Sequence, residues 1–368
     1  MAYNMPQPSV SGDRVLWPTA IPQLHPLVFV VELKMGFRTP PPPFRQEFGK
    51  RQEPIRIALM ETAAIRCDIK KKIHNDFATW CITENYDDPH GFDIVSPKFQ
   101  YHDRDFWIDE LNRVYTVLVK MGCVPSYFWG TKIHIRTQRP MLRRQMKILA
   151  RSIVHFNYGF NELARELSCT DVSSYAHSLV WLQHLDVDNP GERTKEILEG
   201  IDSAQSVEGI AELMNTDWKD EGHLRAWNFW PMVPERFGQT PNNTAYYNGH
   251  HYTGFVEYNL APGSATAKDA TVWIDLACLF TRGALKHDGR WSGGTAKGPD
   301  PNLYKESDLV KFLLEQAEDA ELYGNARIQL QERLACLVAV DQWLHNMTDE
   351  QISTVLRQRE YERKQTTT

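Results

Sequence analysis

Seven polar side chains stand on segments whose other residues are those of buried β-strands. Glu32 and Lys34 close the run Leu27-Val28-Phe29-Val30-Val31-Glu32-Leu33-Lys34; Asp93 sits inside Gly91 to Ser96; Lys132 and His134 punctuate Thr131 to Arg136; Glu257 and Asn259 punctuate Gly254 to Leu260. Strand side chains repeat with a period of two, so each pair two apart shares a face. Three carboxylates, two ammoniums, an imidazole and an amide can move protons, grip an anion, or hold a cation through the carboxylates. Burying them unpartnered would cost several kcal/mol each, so they must pair with one another or line a cavity.

Each residue also has a plainer account. Glu32 could be a solvated strand end, Asp93 the start of a turn before Pro97, His134 a satisfied core histidine, and Lys132 a charge that guards a sheet edge. The coincidence of four such strands in one chain favours a common site, provided that the fold brings them together. Asn228, in the short strand run Ala226 to Phe229, and Tyr247 and His251, in the tyrosine-rich stretch just before the Glu257 strand, are candidate substrate contacts. His250-His251 as a metal pair is a weaker alternative, because adjacent residues point apart. The chain has no Walker-type loop, and Trp291 to Thr295 reads as a glycine-rich turn. No nucleophile stands in a recognisable elbow.

Between these strands the spacing predicts helices. Glu53 to Asn75 has helical spacing through Ile57, Met60, Ala64 and Ile65, and Asp105 to Met121 has it through Trp107, Leu111, Val114, Tyr115 and Leu118. Pro140 to Leu167 carries Leu142, Met146, Leu149, Ile153, Phe156, Phe160 and Leu163 and is expected to be the central packing helix. A further strand is expected around Trp80 to Ile82, and helices over Ser206–Met214, Asp269–His287 and Tyr304–Asn346. Residues 1–25 read as an N-terminal extension, 26–346 as a single α+β domain with a helical excursion over about 186–222, and 347–368 as a charged helix and tail. Pro40 to Pro43 can neither continue a ladder nor start a helix and should form a surface loop.

Composition narrows the function classes. With 42% hydrophobic and 11% aromatic residues, a 368-residue chain can bury a substantial core. Lys and Arg number 41 against 47 Asp and Glu, a net charge of −6, which lacks the basic excess that phosphate backbones demand; no nucleic-acid partner is expected. Six scattered cysteines without a Cys-x-x-Cys pair read as buried thiols of a reducing compartment. No run reaches the ~18 apolar residues of a membrane span, and Met1 to Gln23 lacks a signal-type apolar core, so the expected location is the cytoplasm. The oligomeric state leaves no mark on the sequence.

The ordered motifs resemble the fungal amidoligase family, relatives of glutamine synthetase and glutamate-cysteine ligase, from about Val28 to Leu285. Phe29-Val30-Val31-Glu32-Leu33-Lys34 looks like its opening Glu-x-Glu strand, and Phe92-Asp93-Ile94-Val95-Ser96-Pro97 with the Trp107 helix is similar to its acidic-Ile-Val-Ser-Pro motif. Gly130 to Ile135 looks like its His-x-His strand, and Trp227-Asn228-Phe229 resembles a later strand. Val256-Glu257-Tyr258-Asn259 before Pro262-Gly263 resembles its Glu-Phe-Arg strand. The resemblance implies a curved, mostly antiparallel sheet with helices packed on one side. It also implies ATP- and Mg²⁺-dependent joining of a small carboxylate to an amine, in a setting that suits natural-product chemistry. Glu32, Asp93 and Glu257 would then face the metal, and His134 would serve the phosphate or act as acid or base.

Three positions depart from that pattern. Lys34 replaces the second Glu, Lys132 the first His, and Asn259 the Arg. A carboxylate is lost and two ammoniums are gained, which removes oxygen ligands and repels a divalent ion. Lys34 could itself pair with Glu32 and supply the missing positive charge. Three expectations therefore stand side by side: a ligase, an acid-base enzyme that has abandoned ATP and metal, and a binding protein without catalysis.

Overall fold

The computed structural model describes residues 26–37, 52–70, 77–84, 91–125, 130–167, 190–215, 226–233, 254–261, 263–286 and 306–319. In chain order they form β1 (Leu27–Phe37), α1 (Glu53–Ala63), β2 (Cys67–Lys70), β3 (Trp80–Glu84), β4 (Phe92–Val95), β5 (Phe99–Gln100), α2 (Arg104–Lys120), β6 (Cys123–Pro125) and β7 (Thr131–Thr137). There follow α3 (Arg143–Leu167), α4 (Pro190–Ser203), α5 (Val207–Met214), β8 (Trp227–Asn228), β9 (Val256–Ala261), α6 (Ala267–Lys286) and α7 (Glu306–Asp319).

One sheet runs in the order β2-β3-β4-β1-β7-β9-β8, with β5 and β6 pairing with opposite ends of β1. Every pair is antiparallel except β2 with β3. The class is the mixed α+β, mostly antiparallel architecture that the motif resemblance implied.

The period of two in β1 sorts its residues between two environments. Phe29, Val31, Leu33 and Met35 enter a large core shared with Trp107 and Leu111 of α2, Met146 and Ile153 of α3, and Phe280 of α6. Val28 and Val30 instead join Phe77, Cys81, Val95 and Phe255 in a small cluster on the opposite face. The helices that build the large core therefore cover one face, and the polar residues lie on the other. Aromatic contacts knit the covered side, with centroids 4.7 Å apart for Phe160 and Phe280, 4.8 Å for Trp227 and Tyr258, and 5.2 Å for Phe29 and Trp107. A buried polar lock ties α2 to α6: the Tyr101 hydroxyl donates to Asp275 Oδ1 at 2.9 Å, and Arg104 Nη1 pairs with the same oxygen.

Several expected elements shift. The helix expected over Glu53 to Asn75 stops at Ala63, where Ala64 takes a left-handed cap at φ 53°, and Cys67–Lys70 is a strand. Its buried stripe is Ile55, Leu59 and Ala63, whereas Ile57 and Met60 are exposed, because an i, i+4, i+8 series held the core contacts. Leu142 lies before α3 and is exposed. β5 and β6, of two and three residues, were too short to show a period. Cys67, Cys81, Cys123 and Cys278 are buried and in no disulfide. No described helix is long and apolar enough to cross a membrane. The proline loop, the tyrosine stretch with Tyr247 and His251, the turn at 291–295 and the expected C-terminal helix lie outside the described residues.

Candidate functional site

Register decides which polar groups meet. Asn228 of β8 stands opposite Glu257 of β9, which stands opposite His134 of β7. One row along, Lys132 faces Glu32 of β1, and beyond that Lys34 faces Asp93 of β4. These strands are far apart in sequence, yet the antiparallel pairing places their site faces side by side.

The side chains form a continuous chain of contacts across five strands. Lys34 Nζ lies 2.5 Å from Glu32 Oε1 and 2.7 Å from Asp93 Oδ2. The other oxygen of Glu32 is 3.2 Å from His134 Nε2. His134 Nδ1 approaches Glu257 Oε1 at 3.5 Å, too far and too poorly aligned to count as a hydrogen bond. Asn228 Nδ2 donates to Glu257 Oε2 at 2.8 Å, and Asn228 Oδ1 accepts from Trp230 N, which fixes the amide. Glu32, Lys34, Asp93, His134, Asn228 and Glu257 are all buried.

Lys132 differs. It is half-buried, and its ammonium acts electrostatically on Glu32 and Asp93. The β7–β9 register shifts between Thr131 and Ile133, so Asn259 and Leu260 together oppose Lys132. Such a bulge bends the strand and re-aims the side chains around it. Asn259, half-buried, is on the same strand face as Glu257, and its backbone N–H donates to Ala226 O.

Charge states follow from these neighbours. Burial opposes ionisation of Glu32, but the Lys34 and Lys132 ammoniums and His134 together overcome it and hold the carboxyl well below its usual range. Burial likewise opposes the Lys34 charge, and Asp93 and Glu32 reverse that effect and raise its pKa. For Asp93, burial wins: aided by the Glu32 charge and opposed by Lys34, it lifts the carboxyl to about 7. Asp93 is therefore the acid of this pair that accepts a proton first. The arrangement places the His134 imidazole between two carboxylates, with the Lys132 ammonium two residues along the same strand; such a set can pass a proton and attract an anion.

A Mg²⁺ ion needs several oxygens converging on one point. Glu32, Asp93 and Glu257 do not converge: the Lys34 ammonium stands between the first two, and the His134 imidazole between Glu32 and Glu257. Among the described residues no three His, Cys, Asp or Glu side chains group to hold a metal. The geometry does not fit the three-carboxylate metal set that the motif resemblance implied, because the Lys34 ammonium and the His134 imidazole stand between the carboxylates.

No protein-family model matches the chain, and no curated protein matches it. Among solved structures, the crystal structure of the complex between the prokaryotic ubiquitin-like protein Pup and its ligase PafA is similar at a TM-score of 0.36 and 11% identity, over 92% of this chain and 69% of that one. That is a loose likeness of overall shape.

Sequence reading overlooked Arg136, whose guanidinium lies over the Phe255 ring at 4.5 Å on the His134 side of β7. The signal was present as a third basic residue in the series Lys132, His134, Arg136. Phe77 and Phe255, 6.3 and 6.5 Å from the imidazole, were also overlooked; they wall His134 with apolar surface.

Proposed function

We propose that this chain is an enzyme of the carboxylate-amine ligase class, forming an amide bond between a small acid and a small amine on the β1–β7–β9 face. The observation that carries the reading is the His134 imidazole held between Glu32 and Glu257, two positions along β7 from the half-buried Lys132 ammonium. An amine must lose a proton before it attacks an acyl carbon, and an imidazole steadied by carboxylates is suited to accept it. Lys132 would hold the anionic acid or its activated form. The order of the motifs gives further support, since the five that resemble the amidoligase pattern lie on β1, β4, β7, β8 and β9, which are neighbours in the sheet. ATP, the co-substrate that the resemblance implies, would supply a leaving group by phosphorylating the carboxylate.

A second reading is favoured by one observation. Lys34 fills the position between Glu32 and Asp93, which suits acid-base rearrangement, cyclisation or addition without ATP or metal. One assay separates the two: the purified protein is incubated with pools of metabolite and amino-acid carboxylates and amines, with and without ATP, and phosphate release and new amides are followed by mass spectrometry. ATP-dependent amide formation that falls by about 10²–10⁴-fold in His134→Ala supports the ligase. Conversion without ATP that is lost in the same variant supports the second reading. Substrate pools left unchanged, or turnover indifferent to His134 and Glu257, would refute both.

A further inference from the structure

We infer that Lys34 is a tethered cation occupying what would otherwise be a divalent-ion position between β1 and β4, and that removing its ammonium opens that position to a metal. The inference does not rest on the ligase reading; it stands on the ion-pair geometry. Two carboxylates from neighbouring strands each direct one oxygen at a single point, at 2.5 and 2.7 Å. Those separations are close ammonium–carboxylate contacts, so a single cation is held between two oxygens from different strands. Both acids and the lysine are buried, so the charge at that point is shielded little by solvent. An ammonium on a four-carbon stem meets the need for positive charge permanently, whatever the ion concentration outside.

The placement has a consequence for the rest of the face. Lys34 makes the close contacts to Glu32 and Asp93, while the half-buried Lys132 ammonium acts on the same two carboxylates from β7. A metal between Glu32 and Asp93 would compete with the Lys34 ammonium for the same two oxygens, so the position holds one or the other.

Metal binding is measured directly, independently of turnover. Full-length wild type, Lys34→Ala and Lys34→Gln are titrated with Mn²⁺ by electron paramagnetic resonance and with Ca²⁺ by calorimetry and thermal melting. The expected result is no ion bound by wild type in a manner sensitive to Asp93→Asn, and one bound per chain in a Lys34 variant. With only two protein carboxylates and water completing the shell, its dissociation constant should be weak, roughly 10⁻⁴–10⁻³ M. Asp93→Asn placed in the Lys34→Ala background should abolish that binding. A folded Lys34 variant that binds no ion overturns the inference, as does wild type binding Mn²⁺ through Asp93. If neither variant folds, Lys34→Met, which keeps much of the stem, takes their place, and a folded Lys34→Met that binds no ion overturns the inference. Loss of ligase activity in any variant bears on the proposed function and leaves this outcome unchanged.

Discussion

Lys34→Met offers a sharp test of the site's electrostatics, because methionine keeps much of the stem and deletes only the charge. The ammonium is the shared partner of two buried carboxylates. Removing one member of a buried ion pair costs about 3–5 kcal/mol, and two dependants put this variant toward the upper end at pH 8. The loss should depend on pH in a stated direction. In wild type, Glu32 is held below its usual range, so its contribution is present above the ordinary carboxylate pKa and lost as pH falls through the lowered value. Asp93, raised to about 7, behaves oppositely: its contribution is full below its ordinary pKa and lost as pH rises through about 7. Without Lys34, Glu32 loses the strongest influence that kept it ionised, and it joins Asp93 in favouring the protonated form. The folded variant then binds about one more proton than folded wild type between the ordinary carboxylate range and neutrality. Its deficit should therefore shrink by up to about 1.4 kcal/mol per pH unit as pH is lowered from 8 to 5. Urea unfolding of both proteins at several pH values measures this. A deficit under about 1 kcal/mol at pH 8, or two parallel stability curves, would refute the account.

Three further outcomes concern the frame that holds the site. Arg104→Met leaves Asp275 buried with only the Tyr101 hydroxyl from the lock, and should cost about 3–5 kcal/mol at neutral pH, less in acid, where burial already favours the protonated carboxyl; denaturant unfolding at two pH values checks it. Asn215→Ala removes the amide that donates to Trp227 O and accepts from Phe229 N, each at 2.9 Å, leaving two buried backbone groups unpaired beside β8; a loss on the order of 2–4 kcal/mol is expected, with Asn215→Asp as the control that keeps the acceptor. Gly283→Ala drives a methyl into the Phe312 ring and Gln316 where α6 meets α7, and should destabilise by about 1–3 kcal/mol in chemical denaturation while leaving the polar face unchanged.

The polar face was largely legible in the sequence because a strand repeats every two residues. Glu32 with Lys34 and Lys132 with His134 could be assigned to common faces before any fold was known, and they share those faces. Register was not legible. That Lys34 would lie against Asp93, 59 residues away, depends on how β1 and β4 slide past one another, and a shift of one residue would turn Asp93 into the core. For the same reason the three carboxylates could be read as a metal set, although Lys34 and His134 separate them. Asp275 escaped notice because a single aspartate in an apolar helix carries no period of its own; only Arg104 and Tyr101, more than 170 residues earlier, give it a purpose. α1 was misjudged because Ile57 and Met60 are as apolar as the Ile55 and Leu59 that won the core.

The small apolar cluster beside the charges sets how strongly they act. Val28, Val30, Phe77, Cys81, Val95 and Phe255 occupy the same sheet face as the ion pairs, and Phe77 and Phe255 stand against His134. Had that face been wholly polar, water would fill it, and attractions between Lys34 and its acids would be worth little. Had it been wholly apolar, no charge could be kept there. The interleaving arises from single positions within each strand: Val30 before Glu32, Val95 after Asp93, Phe255 before Glu257. Each strand thus brings a charge together with the apolar neighbour that makes the charge act. The Asp93 carboxyl near 7 is the clearest product, since burial raises it further than Lys34 can lower it. A group in that range can exchange a proton at neutral pH, and it lies three contacts away from the His134 imidazole, through Lys34 and Glu32.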